Sequence, residues 1–180
     1  MSQLIRIVIL LSTFALAGGC LPAGSPGGGG NNGAGNNGAG NAGGGNNGGS
    51  SNNCEPADSD ICQVFEIVNI ERSEAGEEPL VYNMALERAA QAHAEDMAEK
   101  GYFSHTAPDG SDFSARADAA GYTGFPGGEN IAQGQRSPEQ VMNSWMNSQG
   151  HRENILRPRF DEIGVGLHQG YWVQVFGQRR

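Results

Sequence analysis

Residues 162–176 read EIGVGLHQGYWVQVF and carry the clearest structural signal in the chain. Ile163, Val165 and Leu167 alternate with glycines, and Tyr171 begins a second alternating run. A period of two is typical of β-strands, and the residues between the two runs, His168-Gln169-Gly170, are typical of a turn. This stretch predicts a β-hairpin that closes a sheet.

Helices are predicted upstream of the hairpin, where capping residues flank amphipathic stretches. The predicted helices cover residues 60–75, 84–100 and 112–120, then a segment that starts after Ser137 and is broken by Gly150, and a last turn over residues 151–156. Serine, proline and then glutamine mark the fourth start as a capping box. His93 lies on the inner stripe of the second helix, which favours a hydrogen-bonded core histidine over a site ligand.

Three short motifs carry the candidate chemistry, and they lie in turn-rich segments between the predicted elements. They are Phe103-Ser104-His105, Gly128-Glu129-Asn130-Ile131 and the stretch SQGHRENIL at residues 148–156. Two imidazoles and one carboxylate suit a divalent metal ion with an open coordination position. They equally suit a hydrogen-bonded polar network without a metal.

The order and spacing of these motifs resemble the bacterial branch of the CAP superfamily, which groups cysteine-rich secretory, antigen 5 and pathogenesis-related 1 proteins (SCP domains). The likeness covers about residues 61–176 and includes Pro79-Leu80, Ala89-Ala90, Trp145 and the closing strand to Phe176. The resemblance implies an α+β fold, a three-layer α-β-α sandwich with a small antiparallel sheet. Members have diverse roles, including sterol and lipid binding, and catalysis is argued for only some of them.

The resemblance also implies a cleft with a defined set of side chains. His105, Glu129 and His151 would line the cleft, with His105 and His151 as the zinc ligands if a metal binds. From their places in the motifs, and not from the resemblance, Ser148, Asn130 and Asn154 are also expected to support the cleft or contact a ligand.

Ser148 is a departure from the family pattern. Many eukaryotic members carry a second glutamate three residues after the tryptophan that matches Trp145, and this chain has Ser148 there. Serine forms hydrogen bonds but supplies no second negative charge. Metal affinity is therefore expected to be weaker than in a site with two histidines and two glutamates.

The amino-terminal part of the chain predicts export. Residues 1–20 combine Arg6, an apolar run too short for a lasting membrane helix, and small residues before Cys20. This pattern predicts a signal peptide with a lipobox and lipidation of Cys20, which would hold the protein on a membrane; simple signal-peptidase cleavage is the alternative. Residues 21–53 are rich in glycine and asparagine and predict a flexible tether. Residues 54–180 then form one domain.

Charge and cysteine content narrow the partners and the compartment. The formal net charge is −9, and every acidic residue lies in the predicted domain. This balance disfavours nucleic acid as a partner and argues against electrostatic adhesion to anionic lipid. Cys54 and Cys62 are expected to form a short disulfide in an oxidising compartment, with two unpaired thiols as the alternative.

Three functions remain open for an exported cell-envelope lipoprotein or extracellular protein of this kind. The favoured hypothesis is a surface-tethered binding module whose cleft holds a lipid or sterol, a cell-wall component or a protein ligand. The second is a metal-assisted hydrolase in which His105 and His151 bind zinc and Glu129 orients or deprotonates a water. The third is a histidine and glutamate network that only makes the cleft rigid. The sequence contains no Ser-His-Asp, Cys-His or His-Glu-x-x-His arrangement that would specify a reaction.

Overall fold

The computed structural model describes residues 50–51, 54–57 and 59–180. The predicted signal peptide, with Cys20, lies outside the described residues, as does the predicted tether except for Ser50–Ser51. The elements are β1 (Ser50–Ser51), α1 (Asp60–Ala75), β2 (Val81–Asn83), α2 (Met84–Lys100), α3 (Phe113–Ala119), β3 (Phe125–Gln133), α4 (Pro138–Met146), α5 (Gln149–Ile155), β4 (Glu162–His168) and β5 (Tyr171–Gln178). No helix among the described residues is long and apolar enough to cross a membrane.

The helix boundaries follow the capping residues that the sequence displays. The Ser59 hydroxyl accepts a hydrogen bond from the Cys62 amide, and the Asn83 side chain accepts from two amides at the start of α2. Gly76 and Gly101 end α1 and α2 in the left-handed conformation, which glycine adopts without a steric penalty. The predicted limits of α1 and α2 are confirmed.

Two local predictions around the site are wrong. Gly150 does not break a helix, because α4 has already ended at Met146 and Gly150 lies within α5. Glu129 does not lie in a turn-rich segment, because it is part of strand β3. Backbone pairing with β5, from Phe125 opposite Gln178 to Gln133 opposite Tyr171, keeps this glycine-rich segment extended.

The sheet contains five strands in the order β1-β2-β4-β5-β3. All neighbours are antiparallel except β2 and β4, which run parallel. The predicted hairpin is confirmed as β4 and β5, and its two-residue turn is Gln169 and Gly170, both with positive φ. Two consecutive positive φ values are typical of the type I′ turn that matches strand twist.

Helices cover both faces of the sheet, which confirms the predicted three-layer α+β sandwich. Alternate residues of β5 point to opposite layers, so that Trp172 and Phe176 join one apolar cluster and Val173 and Val175 the other. The first cluster includes Phe65 and Val68 of α1, Val141, Met142 and Trp145 of α4, and Ile155 of α5. The second includes Leu86, Ala90 and Met97 of α2, and Ala117 of α3.

The disulfide prediction is also confirmed. Cys54 and Cys62 are bonded, with their Cα atoms 5.4 Å apart. Both residues are buried in the first apolar cluster, which includes Phe65 and Val68 of α1. The bond therefore fastens residues 54–57 to the first turn of α1.

Helix α2 packs directly on the backbone of β4 at two glycines. A Cβ atom at Gly164 would overlap the backbone of Glu87, and one at Gly166 would overlap the backbone of Gln91. The glycines in the sequence IGVGL therefore permit the close approach of α2, while Ile163 and Val165 pack on the opposite layer.

We expect Gly164→Ala to lower the free energy of unfolding by about 3 kcal/mol, because a main-chain overlap cannot be relieved by a side-chain rotation. Urea denaturation of wild type and variant measures this change. Gly150→Ala is the matched control, because a Cβ there meets nothing within 4 Å. Equal losses in both variants would contradict close packing at Gly164.

Candidate functional site

Strand β3 divides the candidate site between the two layers. Glu129 and Ile131 share one face of the strand. Ile131 packs in the second apolar cluster, on the same side of the sheet as α2. Asn130 points to the opposite face, where its amide donates to the His151 carbonyl of α5 at 3.1 Å. One edge strand therefore connects the loop that carries His105 with the helix that carries His151.

His105 and Arg116 hold the two oxygens of Glu129. His105 Nδ1 lies 2.8 Å from Glu129 Oε1, and Arg116 Nη2 lies 2.7 Å from Glu129 Oε2. The Glu129 side chain is only 1% exposed, whereas the His105 side chain is 54% exposed. The carboxylate is thus a buried anchor, and the imidazole is the group that faces solvent.

This pairing sets the tautomer of the neutral His105 ring. An ionised carboxylate only accepts hydrogen bonds, so Nδ1 must donate its proton to Glu129. The lone pair of the neutral ring is then on Nε2, the nitrogen that Glu129 does not hold. Glu129 therefore orients an imidazole acceptor, as carboxylates do behind metal-binding histidines.

Arg116 is the site residue that sequence reasoning missed. Its guanidinium also donates to the carbonyls of His105, at 3.1 Å, and Ser111, at 2.8 Å. It therefore fastens the loop over residues 105–111 to β3, and its side chain is only 11% exposed. In the sequence, Arg116 is an arginine among small residues on a short predicted helix just after the His105 loop. The same pattern is typical of an exposed surface charge, so it did not identify Arg116 as a site residue.

His93 of α2 holds the start of the same loop through a hydrogen bond. It is fully buried, and its Nε2 lies 2.9 Å from the carbonyl of Ser104, the residue before His105. Burial lowers the pKa of His93, so that the ring is neutral and Nε2 donates to that carbonyl. The predicted core histidine is confirmed, and it has a positioning role.

A buried amide network lies on the face of β3 opposite the Glu129 side chain. Asn130 also donates to Gln174 Oε1 at 3.1 Å, and Asn154 donates to Asn130 Oδ1 at 3.0 Å and to the Glu129 carbonyl at 3.3 Å. These bonds dock α5 on β3. The backbone around the candidate residues is therefore held on both sides of the strand.

His151 presents a polar atom that has no protein partner. Its Nδ1 is buried and makes no hydrogen bond to the described residues. Burial lowers the pKa of His151, and the neighbouring His105 lowers it further. His151 is therefore neutral near pH 7, with a ring nitrogen left to a ligand or a water.

Ser148 lies at the entrance to α5, three residues before His151. Its backbone caps the helix, but its side chain makes no capping hydrogen bond. The half-buried hydroxyl is thus available to a ligand. On β3, the Ile131 carbonyl accepts a hydrogen bond from Trp145 Nε1 at 3.3 Å.

The donors fit a metal ion only as a pair of imidazoles. In the described ranges, no group of three or more His, Cys, Asp or Glu side chains is placed to hold a metal ion. Glu129 is placed to support the His105 ring rather than to act as a ligand, because its side chain is 1% exposed and each of its oxygens accepts a hydrogen bond. The partnerless Nδ1 of His151 and the oriented ring of His105 would be the two protein donors.

Comparison with known proteins agrees with this architecture. The model of the cysteine-rich secretory protein family, named CAP, matches residues 65–176. The chain belongs to the CAP family.

Two relatives of this CAP domain occur in Bacillus subtilis. The protein named uncharacterized protein YkwD, from Bacillus subtilis strain 168, is 44% identical over 117 residues, which cover 63% of this chain and 45% of YkwD. The uncharacterized membrane protein YlbC, from the same strain, is 30% identical over 117 residues, covering 65% of this chain and 34% of YlbC. The chain thus spans less than half the length of these relatives.

Solved structures share the CAP fold. An extracellular SCP-domain protein from Bacillus anthracis str. Ames superposes with a TM-score of 0.65 and 30% identity, covering 67% of this chain and 40% of that one. An outer surface protein from Borrelia burgdorferi gives a TM-score of 0.63 at 22% identity, covering 69% of this chain and 96% of that one. At that identity, the second likeness shows the fold alone.

Proposed function

We propose that this CAP domain is an exported binding module that holds a polar cell-surface ligand in the cleft between His105 and His151. The observation that carries the proposal is the buried Glu129, both of whose oxygens are committed to His105 and Arg116. A carboxylate in this state orients a ring but does not take a proton from a water. Export is supported by the extracellular SCP-domain relative.

The absence of an activated nucleophile supports binding over covalent catalysis. Among the described residues, no Ser, Thr or Cys side chain is hydrogen-bonded to a histidine ring. What the cleft does offer is an imidazole acceptor at His105, a partnerless ring nitrogen at His151 and the Ser148 hydroxyl. Hydroxyl and amide groups of a wall glycan or peptide are matching partners for such a set.

A lipid ligand would need a different surface. An apolar crevice of about 310 Å³ lies between α2 and α3, lined by four alanines with Arg88 and Arg116. Arg116 borders both this crevice and the cleft, so that a lipid tail in the crevice would place its polar end near the site. A membrane anchor at Cys20 would keep either ligand within reach of the tethered domain.

The test is retention of the purified chain on insoluble cell wall, with labelled fatty acid and labelled sterol as parallel probes. We expect saturable retention on wall, at least tenfold weaker in His105→Ala, with no soluble wall fragments released. His168→Ala is the control, since this histidine is the last residue of β4, next to the hairpin turn. Equal retention in both variants would remove the cleft as the binding site. Release of fragments would show hydrolysis, and saturable binding of only fatty acid or sterol would replace wall with lipid.

A metal-assisted hydrolase is the second candidate, favoured by the partnerless Nδ1 of His151 together with the ring of His105 that Glu129 orients. Zinc at the two rings would act as a Lewis acid on a bound ligand. Isothermal calorimetry with zinc should then show stoichiometric binding that is lost in His151→Ala and kept in His168→Ala. No binding to the wild type would contradict this candidate and leave the binding module.

A further inference from the structure

The net negative charge of the domain conceals a local excess of arginine. Residues 152–180 contain five arginines and three acidic residues. Of these acids, Glu162 is buried and accepts hydrogen bonds from Asn83 and Tyr122, and Asp161 is paired with Arg179 at 3.3 Å. Glu153 is exposed and accepts a hydrogen bond from Gln149. The exposed charge of this segment is therefore positive.

The fold brings four of these arginines to one end of the sheet. Arg157 and Arg159 each lie 5.4 Å from the ring centre of Phe160. Phe160 in turn stacks on Phe176, near the end of β5. Arg180 lies 5.0 Å over the ring of Phe125.

The backbone fixes the loop and both strand ends relative to one another. The Asp161 amide donates to the Gly177 carbonyl at 3.1 Å, and Phe125 of β3 is directly opposite Gln178 of β5. The start of β3, the end of β5 and the loop after α5 thus form one surface, which we call the arginine end. It comprises Arg157, Arg159, Arg179, Arg180 and Phe125, whereas Arg152 lies within α5 and donates to the Met146 carbonyl.

This surface combines positive charge with exposed apolar area. Phe125 is 55% exposed, one of the few large apolar side chains so exposed in the described part of the chain. Arg159 and Arg180 are exposed and make no hydrogen bond to the described residues. Arginine pairs with phosphate through its planar fork, and aromatic rings favour the boundary between lipid headgroups and acyl chains.

We propose that the arginine end binds the surface of an anionic phospholipid bilayer. The arginines would pair with lipid phosphates, and Phe125 would enter the interface. The exposed ring favours a bilayer over a soluble polyanion, because a polyanion offers no apolar layer to receive it. The acidic remainder of the domain would be repelled by the same membrane, so that the contact also orients the domain. This inference does not depend on the cleft.

Vesicle sedimentation tests the proposal with the full chain carrying Cys20→Ser, which prevents acylation. Vesicles of phosphatidylcholine with phosphatidylglycerol are compared with vesicles of phosphatidylcholine alone, in low salt and in 0.5 M salt. We expect binding only to the anionic vesicles, lost in high salt, and at least tenfold weaker when Arg159→Gln and Arg180→Gln are combined. The control removes two exposed cationic side chains elsewhere, Lys100→Gln with Arg136→Gln, and should bind as the parent does.

Phe125→Ser separates a bilayer from a soluble polyanion. Vesicle binding should fall in this variant, while binding to soluble polyphosphate should not change. Equal binding to both vesicle types would overturn the proposal. So would equal losses of binding in the double variant of the arginine end and in the control double variant. Binding to polyphosphate without binding to anionic vesicles would also overturn it.

Discussion

Arg72→Met is expected to lower the free energy of unfolding by about 3 to 5 kcal/mol, the range for removal of one partner from a buried charged network. The Arg72 side chain is fully buried within the domain. Its guanidinium donates to four carbonyls, those of Glu78 at 2.8 Å, Ile155 at 2.7 Å, and Arg157 and Phe160 at 3.2 Å each.

The carbonyl partners explain why this arginine is stable inside the protein. The Ile155 carbonyl lies at the carboxyl end of α5, where backbone carbonyls carry partial negative charge. Burial lowers the pKa of Arg72, but an arginine remains protonated at neutral pH. Methionine would fill the space of the side-chain stem and leave the carbonyls without donors, so that the loss reports chiefly on hydrogen bonds.

Urea denaturation measures this effect, and Arg88→Met is the control. Arg88 is exposed and makes one hydrogen bond, to the Ala120 carbonyl, so its replacement should change stability by less than about 0.5 kcal/mol. Arg72→Lys should recover only part of the loss, because an ammonium group cannot reproduce the planar fork. If Arg72→Met is as stable as the wild type, the carbonyls have found other donors and the predicted role of Arg72 is wrong.

Glu129→Gln is expected to lower stability by about 2 to 4 kcal/mol and to release the His105 ring. A glutamine side chain has one acceptor oxygen, whereas both His105 Nδ1 and Arg116 donate to Glu129. One donor would therefore face an amide NH₂ group. Arg116 keeps its two carbonyl partners, which limits the loss.

Two measurements check this result separately. Denaturation gives the stability, and ¹⁵N chemical shifts of the His105 ring report which nitrogen carries the proton. Glu66→Gln is the control, because Glu66 is an exposed residue in the middle of α1, and it should change neither measurement. A mixture of tautomers in Glu129→Gln is expected. An unchanged Nδ1-protonated ring would show that Glu129 does not orient His105.

The same variant distinguishes a binding site from a purely structural network. If Glu129 orients His105 for a ligand, wall retention should fall by more than the unfolded fraction explains. If the network only stabilises the loop, retention per folded molecule should stay constant. The second outcome would favour the structural hypothesis and contradict the proposed binding function.

Local sequence was sufficient for features that depend on neighbouring residues. Ser59 and Asn83 start helices because their side chains reach amides two or three residues ahead, and Gly76 and Gly101 end helices because glycine tolerates a positive φ. The alternation in residues 162–176 fixed the hairpin for the same reason. The family motifs also named His105, Glu129 and His151, but not how they are connected.

Only the tertiary structure decided the contacts between distant parts of the chain. Arg72 and Arg116 look like ordinary surface charges in sequence, yet both are held by carbonyl groups that only the folded chain brings within reach. The net charge indicated a uniformly acidic domain, whereas the pairing of β3 with β5 gathers arginines at one end. The sequence by itself determined where the helices and the hairpin begin and end, because caps, turns and strand alternation act over a few residues. The layers, the clamp on Glu129 and the arginine end were decided by tertiary packing, because burial and long-range pairing depend on the whole chain.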